Sequence, residues 1–124
     1  MKKESRILHI YGSSSDNLRN VYIFTVFRGS TGIEYMDIIE EERLDKALEM
    51  FSRKDVFKEI KYYFISEKLS SYEKLEKLRE ILGRSGLREI SREELLKMKI
   101  FEEDFEKVLD KILLFCERKS YIAG

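Results

Sequence analysis

A chain of 124 residues that is 43% apolar, with eight Phe and seven Tyr, carries enough material for one hydrophobic core and is too short for two, so residues 1–124 read as a single domain. Its 24 Lys and Arg balance 24 Asp and Glu, which excludes a net field that would draw the whole molecule to nucleic acid or anionic lipid. One cysteine, Cys116, excludes an internal disulfide, and the lack of any run of about 18 apolar residues excludes a membrane-spanning helix.

The first forty residues read as β and the remainder mainly as α. Arg6 to Tyr11 is a short apolar strand, followed by the loop-like run Gly12-Ser13-Ser14-Ser15-Asp16-Asn17. Val21 to Phe27 is almost wholly β-branched and aromatic, the pattern of a strand covered on both faces. Gly29-Ser30-Thr31-Gly32 supplies positions for positive φ, and Ile33 to Ile39 returns as the second arm of a hairpin. From Glu41 to Phe51, the spacing of Leu44, Ala47, Leu48 and Phe51 predicts one face of a helix.

Ile60 to Ser66 switches back to strand character. Ser70 with Glu73 forms a capping box that opens a helix with Tyr72, Leu75, Leu78, Ile81 and Leu82 on its apolar side. Gly83-Arg84-Ser85-Gly86 stops it, and Leu87 to Ile90 predicts a short strand. A second capping box, Ser91 with Glu94, opens helical structure reaching about Arg118, with a break near Lys99. Phe101, Phe105, Val108, Leu109, Ile112, Leu113 and Cys116 form its apolar stripe, which must be covered. The expected class is α/β, with α+β as the alternative: a mixed sheet in the order β-β-β-α-β-α-β-α, an antiparallel meander joined to a β-α-β unit whose strands run parallel, and a long amphipathic C-terminal helix.

The charged start Met-Lys-Lys-Glu-Ser-Arg is followed by an apolar stretch too short for a secretory signal, so a cytoplasmic location and a reducing compartment are expected. Glutamine is absent and Lys and Glu are abundant, a bias of proteins from hot environments, although the absence of proline runs against that pattern.

His9 is the single histidine and lies between Leu8 and Ile10, so alternation puts it on the opposite face from both. With Cys116 more than a hundred residues away, neither a zinc site of usual spacing nor a Cys-His nucleophile is supported. Carboxylates are the plentiful catalytic-type group. Glu34, Asp37, Glu40, Glu41 and Glu42, followed by Glu59-Ile60-Lys61, would suit Mg²⁺-dependent phosphodiester hydrolysis, with Asp37, Glu40, Glu59 and Lys61 as the site.

A three-stranded meander followed by helix, strand and helix resembles the core of restriction-endonuclease-like nucleases, which carry an Asp followed by Glu-x-Lys. The resemblance implies that motif on the third meander strand, where this chain has Glu34-Tyr35-Met36 without the lysine; Glu59-x-Lys61 falls one strand later. Gly83-Arg84-Ser85-Gly86 resembles the Gly-x-x-Gly loop of KH domains, which implies contact with a nucleic-acid backbone, but the apolar spacing after Gly86 departs from that family. Arg84, Arg88 and Arg92, with Lys97 and Lys99, would provide phosphate contacts, interleaved with Glu89, Glu93 and Glu94.

No phosphate-cradling glycine motif is present, so no cofactor is expected, with Mg²⁺ belonging only to the nuclease alternative. The first expectation is a non-catalytic accessory or interaction domain that self-associates or docks a protein partner through the last helix. Its contact candidates are Phe105, Leu109, Ile112, Leu114 and Phe115, since Leu114 and Phe115 widen the apolar stripe beyond one contact face. The alternative is the metal-dependent nuclease or nucleic-acid-binding domain.

Overall fold

The computed structural model describes residues 5–12, 20–29, 32–69, 75–97 and 104–123, with side chains of the last helix described as far as Cys116. Five strands form one mixed sheet: β1 (Arg6–Gly12), β2 (Asn20–Arg28), β3 (Gly32–Glu41), β4 (Ile60–Ile65) and β5 (Arg88–Glu89), in the spatial order β3-β2-β1-β4-β5. The helices are α1 (Leu44–Ser52), α2 (Leu75–Arg84), α3 (Arg92–Lys97) and α4 (Phe105–Ala123), with short 3-10 turns at Asp55–Glu59 and Glu67–Leu69. The expected α/β order is therefore present, with the meander antiparallel and β4 and β5 parallel neighbours.

β2 is buried at every position from Val21 to Phe27, as a β-branched and aromatic run requires once both sheet faces are covered. The hairpin to β3 uses Gly29 at φ 42° and Gly32 at φ 91°, a region open to glycine at little cost. Close to it the pairing steps from Val26↔Tyr35 to Phe27↔Ile33, leaving Glu34 as the extra residue of a β-bulge. A similar step between β1 and β4 leaves Lys61 unpaired in the register. At the other end of β1, a Cβ on Gly12 would lie 2.5 Å from the Tyr22 ring, so the strand closes there only with glycine.

Alternation divides the sheet into two unlike faces. On one, Leu8, Ile10, Tyr22, Phe24, Val26, Tyr63 and Ile65 meet Leu44, Leu48 and Phe51 of α1 and Leu78 and Leu82 of α2. On the other, Ile7, Phe27 and Phe64 meet Leu95 of α3, and Tyr11, Val21 and Ile23 meet Leu109 and Leu113 of α4.

Two helix boundaries follow from local chemistry. After α2, Leu87 N–H donates to Leu82 O at 3.1 Å and Gly86 N–H to Gly83 O at 3.0 Å, with Gly86 at φ 87°: a Schellman C-cap. Both glycines of the Gly-x-x-Gly run are thus used in ending the helix. At the start of α3, Glu94 N–H donates to Ser91 Oγ at 3.2 Å, as the capping box requires. The Ser70 and Glu73 box, Tyr72, Lys99 and Phe101 lie outside the described residues. α1 begins at Leu44, three residues later than its spacing predicts, because β3 runs on to Glu41 in register with Asn20.

No helix among the described residues is long and apolar enough to cross a membrane.

Candidate functional site

The two halves of the fold meet between β1 and β4: from β1 the chain winds through β2 and β3 in one direction, and β4 and β5 extend the sheet in the other. In open α/β sheets the carboxyl ends of strands at such a reversal leave a crevice. Here that end carries a connected set of polar side chains, and α4 is seated over it.

His9, on the central strand, is fully buried on the α4 side, opposite Thr25 of β2 and Phe64 of β4. Rings surround it: Phe105 at 5.4 Å between centroids, Phe64 at 5.7 Å, Tyr11 at 6.1 Å and Phe27 at 6.5 Å. Its Nε2 lies 3.4 Å from Glu106 Oε1, in the first turn of α4. Ser66, which follows β4, donates its hydroxyl to the same carboxylate oxygen at 2.9 Å. One turn along α4, Asp110 accepts from Tyr11 Oη and from Lys68 Nζ, the latter at 2.6 Å. Lys68 also donates to Tyr11 Oη at 2.8 Å.

Burial in this ring-lined space pushes the His9 imidazole below its ordinary 6.5, with Glu106 opposing that shift, so the neutral form is favoured. The His9 and Ser66 contacts hold the Glu106 carboxyl below the usual carboxylate range, against its own desolvation. Desolvation is also the largest influence on Asp110, and the bonds from Lys68 and Tyr11 outweigh it, leaving that carboxyl lowered. Tyr11 is pushed up to about 12, first by burial and then by Asp110. Together these groups set the position of α4: the carboxylates of Glu106 and Asp110, a turn apart, are bonded to the sheet side by side with the apolar contacts of Leu109 and Leu113.

With α4 held this way, its remaining sides are defined. Leu109 is fully buried, which removes it from the set of partner contacts; a 3.6-residue period aims it at Tyr11 and Ile23. Phe105 and Ile112 are half-buried against the sheet, Phe105 beside His9 and Phe27. Leu114 at 52% and Phe115 at 67% exposure point outward, joined by Val108 at 52%. Val108 and Phe115 are seven residues apart, so they lie on one side of the helix two turns from each other. Ile38 of β3 is also exposed, on the same sheet face as α4, two residues from Met36, which packs against the cluster holding Ile112 and Cys116.

The carboxylates of the nuclease alternative are dispersed. Asp37 lies in a row with Phe24, Ile10 and Ile65, whereas Glu59 precedes Ile60 at the far end of β4, across three strand spacings. At ~4.8 Å per strand and ~3.3 Å per residue the two are on the order of 20 Å apart, well beyond what one ion bridges with oxygen contacts of ~2.0–2.6 Å. Asp37 pairs instead with Lys54 at 2.9 Å, and Glu59 with Arg6 at 3.3 Å. Arg6 also donates to Glu34 at 2.6 Å, holding that carboxyl below its usual range. Glu40 pairs with Val21 and so occupies the opposite face from Asp37, and Lys61 sits exposed on its bulge. Among the described residues no group of three or more His, Cys, Asp or Glu is arranged to hold a metal ion.

The arginines are similarly engaged. Arg84 pairs with Glu80, and Arg92 with Glu67 at 3.5 Å. Arg88, on the two-residue edge strand β5, lines a shallow cleft with Tyr62, Glu89, Ile90 and Glu94, where two carboxylates offset its charge.

Sequence reasoning missed the polar set at the strand ends. Its signals are present in part: His9 and Tyr11 alternate onto one face, and Glu106 and Asp110 flank the apolar stripe at i and i+4. What joins them is a contact between residues 99 apart in the chain, which periodicity does not encode. No protein-family model, curated protein or solved structure matches this chain, so the geometry alone carries the functional reading.

Proposed function

We propose that this chain is a non-catalytic interaction domain that self-associates through the outer side of α4. The observation that supports this reading is the exposure of Val108, Leu114 and Phe115 on a helix whose opposite side is anchored by both apolar and charge-assisted contacts. A fixed helix presents those side chains in one orientation, so a second copy meets an ordered surface and loses little conformational freedom on binding. Ile38, exposed on the same sheet face, extends that surface toward β3.

Sedimentation velocity over a wide concentration range tests the reading. The intact chain is expected to shift reversibly from monomer to dimer, and Phe115→Glu is expected to hold it monomeric with unchanged far-UV circular dichroism. A species that stays monomeric at every concentration, or a dimer indifferent to Phe115→Glu and Val108→Glu, would overturn it.

A further inference from the structure

Three of the polar groups where α4 joins the sheet, His9, Glu106 and Asp110, gain a proton in acid. His9, within a wall of Phe27, Phe64, Phe105 and Tyr11 rings, reaches Glu106 at 3.4 Å, Ser66 reaches the same carboxylate at 2.9 Å, and at the more exposed rim Lys68 reaches Asp110 at 2.6 Å. We propose that this seat is an acid-labile latch: α4 is held on the sheet at neutral pH and released, ahead of the rest of the fold, when His9 takes up a proton.

The charged surroundings of His9 define the direction of the effect. From α4, Glu106 faces it, with Asp110 a turn further on; from its own strand there is Tyr11; after β4 there is Lys68; from α3, Arg92 acts on Glu106. β2 contributes Thr25 and Phe27, and β4 contributes Phe64, none of them charged. A proton on the buried ring thus has Glu106 as its near carboxylate in an otherwise apolar surround, while the released state solvates it freely. Protonation therefore favours release, and neutralising Glu106 and Asp110 at lower pH removes the remaining bonds in the same direction.

The opposite sheet face holds no histidine, and its ion pairs, Asp37 with Lys54 and Asp45 with Arg43 and Lys77, lie beside a large cluster of apolar residues and tyrosines, so the sheet with α1 and α2 is expected to outlast the release. Undocking would uncover Leu109 and Leu113, now buried, and Phe105. The latch stands independently of whether α4 contacts a second copy.

Two measurements on the intact chain test it. Pulsed hydrogen exchange from about pH 7.5 to about pH 5, corrected for intrinsic rates, is expected to show α4 amides losing protection by up to about tenfold per pH unit once the pH falls below the ordinary histidine value, while β1 and β2 stay protected. In His9→Gln, which keeps a donor toward Glu106 but does not titrate, that slope is expected to disappear. Because His9 is the single histidine, its ring signals in an NMR titration of the unmutated chain report directly on the same group even if the variant does not fold. A midpoint at or above 6.5 in the docked state, protection of α4 that is flat with pH, or loss of protection by α4 and the sheet together would each overturn the proposal.

Discussion

The two faces of the sheet are built on different physics. On the α1 and α2 face, Phe24 and Phe51 stack at 4.9 Å between ring centroids, Leu44, Ala47 and Leu48 are fully buried, and close packing of apolar side chains is sufficient. On the α4 face, fully buried His9 and Thr25 and nearly buried Ser66 lie among the aromatic side chains, and helix attachment depends on carboxylates in specific partnerships. The first arrangement rests mainly on that apolar packing, with the ion pairs of Asp37 and Asp45 beside it and no histidine. The second ties the position of α4 to protonation, and makes it the more readily altered side of the molecule.

The sharpest way to break that contrast is on the apolar face. Phe51→Ala empties a fully buried ring site and is expected to cost about 3–5 kcal/mol of unfolding free energy in urea titrations, with little change in the effect between neutral and mildly acid pH. On the other face, Glu106→Gln keeps the shape of a side chain only 15% exposed but removes its charge, and about 1–3 kcal/mol is expected from weakened bonds to His9 and Ser66.

The pH dependence of that second loss has a definite sign. Glu106 titrates below its ordinary 4.5 in the fold, so its contribution is full above that value and fades as pH falls through the lowered one. His9 is also lowered, but as a base: its neutral form contributes fully above 6.5, and stability declines as pH falls from there toward the folded value. Thermal melts of the unmutated chain are expected to weaken in both windows, and melts of Glu106→Gln to lose the lower component contributed by that carboxyl.

Smaller effects sharpen the comparison further. Ser91→Ala removes the hydroxyl that caps α3 and is expected to cost about 1 kcal/mol by urea titration. Lys68→Ala deletes a short ion pair whose partners are 47% and 42% exposed, and less than about 1 kcal/mol is expected because water and salt screen it. A large loss from Lys68→Ala, equal to that from Glu106→Gln, would show that the rim of the α4 seat matters as much as its interior.

Much of this fold was legible in particular residues. The aromatic and β-branched run of β2 implied burial on both faces, and β2 is buried from Val21 to Phe27. Gly86 implied a helix stop, and its positive φ completes the cap of α2. The i, i+3, i+4 spacing of Leu44, Ala47, Leu48 and Phe51 implied a helix face, and all four are fully buried. Each is a local signal, because dihedral preference and side-chain period act over a few neighbouring residues.

The candidate sites were less legible for a corresponding reason. Asp37 and Glu59 both belong to a plausible metal-binding pattern along the chain, but the strand order separates them by three strand spacings. Leu109 and Val108 belong to one apolar stripe in sequence, and only the seating of α4 buries the first and exposes the second.

By itself, then, the sequence determined the order of the main strands and helices, the buried faces of β2 and α1, and the caps at the end of α2 and the start of α3. Tertiary structure alone decided that β4 lies beside β1, that His9 lies beneath α4 against Glu106, and that Tyr11 and Lys68 share Asp110. The physical reason is that a strand or helix pattern specifies which side must leave water but not which distant element covers it; that choice belongs to the packing of the whole sheet.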